Sequence, residues 1–172
     1  MGINYEIERK FLVEFPDVAK LDVKRKISIV QTYLKRGSNG SQRRVRSVEE
    51  NGKVKYTYTE KVFITPITRE ENEYEISEDE YCRLLEQEPG DSPPIEKVRY
   101  CFEYNDQLFE LDKYPFSDKL AIMELELRSP DQKIDFPDNV NVLREVSGDS
   151  RYSNATLASA GGFPEQKIGE NT

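Results

Sequence analysis

Alternation of apolar and polar residues with a period of two runs through most of this chain, in segments of about 6 to 11 residues. Successive side chains of a β-strand point to opposite faces, so each segment reads as a strand with one apolar and one polar face. The predicted strands lie near 3–14, 28–36, 42–49, 53–64, 69–77, 95–104, 107–114 and 120–128. The turn sequences SNGS, ENGK and YNDQ occur at 38–41, 50–53 and 104–107. The pattern predicts a mainly β fold, either a sandwich or a closed barrel.

Helical patterns are few and short. The predicted helices span 16–26, 78–88 and 153–159. Ser77 is placed to cap the second of them, with Glu80 at the capping-box position. With 172 residues the chain fits one domain, predicted over 1–160, followed by a loose tail at 161–172.

The composition excludes several classes of function. Histidine is absent, which excludes histidine-based catalytic triads and histidine zinc sites, so chemistry must use carboxylates, Lys, Arg, Tyr and bound hard cations. A net charge of −8 disfavours general nucleic-acid binding. No apolar run approaches the roughly 20 residues that span a bilayer, and no secretion signal is evident, so we expect no membrane insertion and a cytoplasmic location. Cys82 and Cys101 are predicted to be reduced, buried thiols.

Charges on the predicted strands are grouped by sign. Glutamate pairs occur at 6–8, 73–75 and 124–126, and basic pairs occur at 44–46 and 97–99. A sheet with one solvated face explains any single strand, but like charges two residues apart repel each other, and a surface selected for solubility mixes its signs. The grouped pairs are better explained if each sign faces a partner.

Carboxylate pairs suit hard cations such as Mg²⁺ or Mn²⁺, and Arg and Lys pairs suit phosphate oxygens. If both sets line one cavity, its natural occupant is a polyphosphate complexed with metal. Charged faces that point inward require apolar faces that point outward, under the cover of helices and loops. The sequence therefore favours a closed barrel of eight antiparallel strands, which is wide enough to hold a small ligand.

The ordered blocks of this sequence resemble the CYTH group, the triphosphate tunnel metalloenzymes, over about residues 3 to 158. The blocks are EIERKFLV (6–13), QTYL (31–34), RVR (44–46), TEK (59–61), EYEI (73–76), EKVRY (96–100), FELDKY (109–114), MELEL (123–127) and EVSGDSRYSNATLA (145–158). The resemblance implies an eight-stranded antiparallel tunnel with a few flanking helices. It also implies that the tunnel binds a triphosphate together with divalent cations, Mg²⁺ or Mn²⁺.

The resemblance also implies roles for individual residues. Those that resemble metal-coordinating carboxylates are Glu6, Glu8, Glu124 and Glu126. A second cation site would be completed by Glu73, Glu75 and Asp112. Those that resemble phosphate ligands are Lys10, Arg44, Arg46, Lys61, Arg99 and Arg151.

The reaction implied is the in-line attack of water on a terminal phosphorus. Without imidazole, water is activated by metal, by a carboxylate or by a perturbed Tyr–Lys pair, for which Tyr33 and Lys97 are the candidates. We expect a metal-dependent triphosphatase that converts inorganic tripolyphosphate to pyrophosphate and phosphate, as a monomer or homodimer. The alternatives are a thiamine triphosphatase, a class IV-type adenylate cyclase that forms cyclic AMP from ATP, and a barrel that binds polyphosphate or nucleotide without catalysis.

Overall fold

The computed structural model describes residues 4–165, and within that range the chain forms nine β-strands and two α-helices. In chain order the strands β1 to β9 are Asn4–Glu14, Asp22–Tyr33, Gln42–Glu50, Lys53–Phe63, Thr68–Ile76, Ile95–Tyr104, Gln107–Lys113, Leu120–Glu126 and Val142–Glu145. Helix α1 spans Glu78–Gln87 between β5 and β6, and α2 spans Asn154–Ala160 after β9.

The first eight strands form a closed antiparallel barrel, as the sequence predicted. The strand order is β5-β4-β3-β2-β6-β7-β8-β1, and a further pairing of β1 with β5 closes the circle. Strand β1 makes this closure with its first residues, 4–7, which pair with 68–71 of β5, and it pairs with β8 from Glu8 onward. The short strand β9 adds to the later half of β1, at 11–13.

Two of the predicted turns form tight hairpins. Asn51 and Gly52 between β3 and β4, and Asn105 and Asp106 between β6 and β7, all have positive φ. Two consecutive residues with positive φ are typical of the type I′ turn, whose twist matches that of the strands that it joins. These hairpins fix the register of their strands and thereby decide which side chains face the barrel interior.

The apolar faces of the strands point outward and are covered. Over β1, β6, β7 and β8 the residues Phe11, Phe102, Phe109 and Met123 form a buried cluster that packs against Phe136 and Val140 of the segment before β9. Over β3 and β4, Leu84 of α1 packs on Val45 and Tyr58. The charged rows are thus left to face the interior, which is the inside-out arrangement that the sequence predicted.

The barrel interior has three layers. At one end Leu12 and Ile122, which continue the inward faces of β1 and β8, pack against Tyr152, Leu157 and Phe163. At the other end Ile27, Ile29 and Cys101 form a second apolar cluster with Val48. Between these two layers lie the charged side chains.

The region around residues 16–26 was predicted wrongly. It contains a short 3₁₀ helix at Val18–Lys20, capped by Asp17, and the second strand begins at Asp22 rather than near 28. The cause is long-range pairing, since β2 pairs with β6 from Asp22 opposite Glu103 to Gln31 opposite Ile95. The strand β9 was not predicted, because its four residues carry too short a pattern and form a strand only by pairing with β1.

The later helices agree with prediction. The Ser77 side chain accepts a hydrogen bond of 3.1 Å from the Glu80 backbone amide, while the Glu80 carboxylate binds Arg83 rather than completing the capping box. Helix α2 ends at Gly161. In the predicted loose tail, Phe163 is fully buried, and residues 166–172 lie outside the described residues.

Both cysteines are free thiols, and Cys101 is buried as predicted. Cys82 is exposed, contrary to prediction, because it lies on the outer side of α1. No helix in the described part of the chain combines the length and the apolar character needed to cross a membrane.

Candidate active site

The charged rows meet in a cavity of about 670 Å³ inside the barrel, which we call the central cavity. The glutamates that line it are Glu6, Glu8, Glu71, Glu73, Glu110, Glu124 and Glu126. The basic side chains that line it are Lys10, Arg44, Arg46, Lys61, Arg69 and Arg99. Acids and bases are nearly balanced, so the walls suit an anion that arrives with its own cations better than a free anion.

Three glutamates converge on one part of the wall. One carboxylate oxygen from each of Glu8, Glu110 and Glu124 lies within 4.8 Å of the others. Strand pairing brings them together, because Glu110 of β7 lies opposite Glu124 of β8. Grouped carboxylate oxygens are the ligands that hard divalent cations prefer, and a cation would relieve their repulsion.

The pKa values of these three groups reflect their crowding. Burial, and then the charge of Glu124, raises the pKa of Glu8, and burial also raises the pKa of Glu110. Burial acts in the same direction on Glu124, but the charges of Lys10 and Arg99 hold the pKa of that carboxyl well below its ordinary value. Keeping all three carboxylates ionised therefore costs free energy, and a bound cation would reduce that cost.

Arg69 lies within the acidic wall. Its guanidinium is 2.8 Å from a Glu8 oxygen and 3.8 Å from a Glu6 oxygen. It also lies 3.5 Å from Glu71. Burial, followed by the hydrogen bond and charge of Glu71, raises the pKa of Glu6 to about 8. The crowding of negative charge that raises this pKa would also favour a cation beside Glu6.

Several basic side chains in the cavity wall make only long contacts with carboxylates. The nearest nitrogen–oxygen distances are 3.7 Å for Lys10–Glu124, 3.4 Å for Lys61–Glu71 and 3.9 Å for Arg44–Glu73. A charge-assisted hydrogen bond is typically about 2.7–2.9 Å long. These ion pairs are therefore loose, and their donors are available to an anion.

Arg99 is held from behind by Asp112, which the sequence had assigned to a cation site. The Arg99 guanidinium donates two hydrogen bonds to the Asp112 carboxylate, of 2.8 and 2.9 Å. The Lys97 ammonium lies 2.8 Å from the same carboxylate, and neither Lys97 nor Asp112 lines the central cavity. Burial opposes the charge of Asp112, but Arg99 and Lys97 lower its pKa to about 2.

These contacts correct two expectations. Asp112 is fully buried with both oxygens occupied by cations, so it supports the wall rather than offering a ligand to a metal. The Tyr33–Lys97 pair is not formed, because Lys97 binds Asp112 and the Tyr33 hydroxyl accepts a 2.8 Å hydrogen bond from the Gln31 side chain. Tyr33 itself does line the central cavity.

Two further predicted residues lie away from the cavity. Glu75 is exposed, near the end of β5, and does not line the central cavity. Arg151 is exposed and does not line the central cavity, although Asp149, which it binds at 2.7 Å, does. The remaining predicted residues, Glu6, Glu8, Lys10, Arg44, Arg46, Lys61, Glu73, Arg99, Glu124 and Glu126, line the central cavity together.

Arg69, Glu71 and Glu110 were not predicted as site residues, although the sequence carried a signal for each. Arg69 and Glu71 have the same parity along β5 as Glu73, and Glu110 has the same parity along β7 as Asp112. Strand alternation therefore placed all three on the inward face. What the alternation does not give is the depth at which each side chain ends.

A second cavity of about 720 Å³ continues the barrel interior beyond the charged layer, and we call it the distal cavity. Arg46, Glu73, Arg99, Glu110 and Glu126 line both cavities. The rest of the distal wall is partly aliphatic and partly polar, and includes the β6–β7 turn. These five shared residues mark where the two cavities meet.

The β4–β5 turn and the loop after β9 form the rim of the central cavity on its other side. Phe63 is the last residue of β4, Ile64 and Pro66 come from the turn, and Ser147 and Gly148 come from the loop. A Cβ atom on Gly148 would lie 2.7 Å from the Pro66 side chain, so the two rim elements are in close contact. The Ser147 hydroxyl accepts a 2.9 Å hydrogen bond from the Lys10 amide, which ties this loop to β1.

The CYTH domain family model matches residues 4–156, which is almost the whole described chain. The chain belongs to the CYTH domain family. A curated relative, the inorganic triphosphatase of Acetivibrio thermocellus, is 35% identical over 156 residues, which cover 88% of this chain and 92% of that protein.

Solved structures of CYTH-like barrels agree with this assignment. The crystal structure of the inorganic triphosphatase NE1496 is 31% identical, covers 89% of this CYTH chain and 93% of its own, and superposes with a TM-score of 0.53. The PH1819 protein from Pyrococcus horikoshii OT3 superposes with a TM-score of 0.56 at 21% identity, over 73% of this chain and 80% of its own. At that identity the second match supports the fold alone.

Proposed function

We propose that this protein hydrolyses inorganic tripolyphosphate to pyrophosphate and phosphate with the help of Mg²⁺ or Mn²⁺. The observation that carries the proposal is the convergence of the Glu8, Glu110 and Glu124 carboxylates beside buried Lys and Arg side chains in one enclosed cavity. An aqueous triphosphate is strongly anionic, and such a cavity accepts it only together with cations. The names of the two inorganic triphosphatases that the chain resembles support the same reaction.

The metal-binding residues of this proposal are Glu8, Glu110 and Glu124, with Glu6 and Glu126 beside them. These residues fit a divalent cation because their carboxylate oxygens are grouped. The raised pKa values of Glu6 and Glu8 also indicate that nearby cations compensate their negative charges only in part. A bound cation neutralises phosphate oxygens and favours attack by water on phosphorus. In this proposal Glu73 lies with the basic wall, since it accepts a 2.8 Å hydrogen bond from Thr59 and faces Arg44.

The basic side chains bind and orient the phosphate chain. Lys61 and Arg44 are buried and Lys10 is partly buried, and all three line the central cavity. Their ion pairs are loose, so a phosphate oxygen can replace these long contacts with shorter ones. The Tyr33 hydroxyl accepts from Gln31, which leaves its own hydrogen free to be donated to a phosphate oxygen. We therefore assign Tyr33 to substrate binding rather than to proton abstraction.

The experiment that tests this function is a substrate panel with purified protein and either Mg²⁺ or Mn²⁺. Release of phosphate from tripolyphosphate, and little from ATP or thiamine triphosphate, is the expected result. Faster release from thiamine triphosphate, formation of cyclic AMP from ATP, or binding of tripolyphosphate without turnover would contradict the proposal in favour of one of the three alternatives. The chelator EDTA serves as the control, and should abolish turnover.

The proposal extends to the oligomeric state, the location and the domain boundary. We propose a monomer or homodimer that acts in the cytoplasm, with its catalytic domain ending near residue 160. Gel filtration of the full chain and of a chain ending at 160 tests the first and last points. The burial of Phe163 against Leu157 and Tyr152 predicts that the shortened chain is the less stable of the two.

A further inference from the structure

We propose that Gln31 is a positioning residue. It holds the Arg46 guanidinium where the central and distal cavities meet, so that Arg46 binds the last phosphate group of the substrate. This inference rests on the proposed function and deepens it. Gln31 is an uncharged residue behind the cavity wall, and its contact with Arg46 determines where a bound phosphate chain ends.

The Gln31 side chain is fully buried and makes two hydrogen bonds. Its amide oxygen accepts from the Arg46 Nε at 2.7 Å, and its amide nitrogen donates to the Tyr33 hydroxyl at 2.8 Å. The orientation of the amide is unambiguous, because a guanidinium can only donate and must face the oxygen. Strand pairing sets this contact, since Gln31 of β2 lies directly opposite Arg46 of β3.

Arg46 differs from the other basic residues of the central cavity in its partner. Among the described residues, Lys10, Arg44, Lys61, Arg69 and Arg99 each have a carboxylate oxygen within 4.0 Å, whereas Arg46 has none and is paired with a neutral amide. Its side chain is only 9% exposed. A buried cation without a counter-ion is costly unless an anion binds beside it.

The surroundings of Arg46 are rich in donors. Burial, and then the charges of Arg44 and Arg99, lowers the pKa of Arg46 to about 10. The Thr57 hydroxyl, opposite Arg46 in β4, and the Arg44 Nε are both buried and have no hydrogen-bond partner in the described chain. Three converging guanidinium groups and an unpaired hydroxyl together suit an oxyanion such as a phosphate group.

The position of Arg46 indicates where a bound phosphate chain ends. Arg46 and Arg99 line both cavities, and each is fixed by a fully buried acceptor on a neighbouring strand, Gln31 and Asp112 respectively. On the central side Arg46 lies among acidic and basic side chains, whereas on the distal side the inward faces of β2 and β3 continue with Ile27, Ile29 and Val48. The further basic side chains of the distal wall, Arg25, Arg128 and Lys133, are exposed. A phosphate chain gains nothing from aliphatic walls, so its last group stays at Arg46.

The test uses the full-length protein with Mg²⁺ and compares three variants with the wild type. Gln31→Met keeps the size of the side chain but removes the acceptor, Gln31→Glu keeps an acceptor but neutralises Arg46, and Thr32→Ala is the control on the opposite face of the same strand. For each we measure kcat and KM for tripolyphosphate, its Kd by calorimetry with Ca²⁺ in place of Mg²⁺, and the melting temperature.

Gln31→Met is expected to lower kcat/KM between about 10-fold and 100-fold, because a displaced guanidinium no longer meets the phosphate. Gln31→Glu is expected to melt no lower than Gln31→Met, since Arg46 gains a counter-ion, and yet to bind tripolyphosphate more weakly than the wild type. A purely structural Gln31 would make binding follow the melting temperature across the variants. That result, or a Gln31→Met protein within twofold of the wild type, would overturn the inference.

The calorimetric arm separates this inference from the proposed function. A wild type that binds tripolyphosphate without hydrolysing it would contradict the function, while the ratio of Kd values would still decide the role of Gln31. A wild type that neither binds nor hydrolyses tripolyphosphate would overturn both.

Discussion

Glu110 has the most consequential position among the individual residues of the site. It lies opposite Glu124 across β7 and β8, within reach of Glu8, and it also binds the Arg99 guanidinium. One carboxylate thus joins the acidic cluster to the basic end of the cavity. With Glu110 as a metal ligand, the register between β7 and β8 would set the distance between the cation and the bound phosphate.

We expect Glu110→Gln to raise the Mg²⁺ concentration needed for half-maximal turnover by at least about tenfold, because the cluster loses one of its three anionic ligands. Titration of activity with Mg²⁺ at saturating tripolyphosphate checks this. Glu103→Gln is the matched control, since Glu103 is exposed on the neighbouring strand β6. An unchanged Mg²⁺ requirement in Glu110→Gln would exclude Glu110 from the metal site.

Asp112 has a different task, which is structural support. Replacing it with Asn should destabilise the fold by about 3 kcal/mol, since Lys97 and Arg99 would remain buried without their shared anion. Urea unfolding measures the loss. Asp118→Asn is the control, because Asp118 is exposed and its contact with Lys113 at 3.7 Å contributes little. Equal stabilities of the two variants would contradict this reading of Asp112.

At the residue scale, sequence reasoning identified faces but not depths. Alternation placed Glu8, Lys10 and Glu124 on inward faces, and the structure brings them into one cavity. It placed Asp112 on the same kind of face, but a short carboxylate between Lys97 and Arg99 ends inside the wall instead of in the cavity. Gln31 was not predicted because it is uncharged, and its importance comes from the hydrogen bond that it accepts from Arg46.

The strands and their connections determine how the site opens. The turn between β4 and β5 and the loop after β9 meet at the rim, where Gly148 has a φ of 72° and lies against Pro66. Only glycine combines that backbone conformation with so little space. The rim is therefore set by one contact between two elements that are far apart in the chain.

Gly148→Ala should lose more stability than Gly40→Ala, although both glycines have positive φ. The left-handed conformation costs each alanine about 1 kcal/mol, while at Gly148 the methyl group also meets Pro66. Gly40 has open space around it. Thermal unfolding compares the two, and KM for tripolyphosphate should rise only in Gly148→Ala. Similar melting temperatures would contradict a close-packed rim.

At the element scale, the success of prediction followed the source of each signal. The strands with strong alternation and the hairpins at Asn51 and Asn105 were predicted because their signal is local. The segment 16–26 was not, since its helix-like spacing was outweighed by the pairing of β2 with β6. Local patterns do not contain the partner strand, and here the partner decided the outcome.

Across the whole molecule the acidic interior couples stability to pH. The pKa values of Glu6, Glu8, Glu110 and Glu126 are all raised in the folded protein, with that of Glu6 at about 8. At these four carboxyls the folded state binds more protons than the unfolded state from about pH 4.5 upward, and at Glu6 up to about pH 8, so their contribution to stability decreases as pH rises. Burial lowers the pKa of Lys61 and lowers that of Lys97 to about 8, which acts in the opposite direction toward the upper end of this range.

We expect the melting temperature of metal-free protein to fall between pH 5 and pH 7, below the range in which Lys97 loses its proton, and added Mg²⁺ to reduce that fall because a cation replaces the protons. Differential scanning calorimetry in EDTA and in Mg²⁺ checks both parts. A metal-free melting temperature that is constant or rises over this range would contradict the raised pKa values. Below pH 4 the sign reverses, because the pKa of Asp112 is lowered to about 2 and its ion pairs are lost as it is protonated.

The closure of the barrel through β1 has a consequence for how the chain reaches its native state. The opening residues must pair with 68–71, with 120–126 and with the segment near 145. During synthesis, β1 cannot complete its pairing until the residues up to about 145 have left the ribosome. Such high contact order predicts refolding on the millisecond-to-second scale. We expect the pairing of β1 to be the last step that closes the barrel.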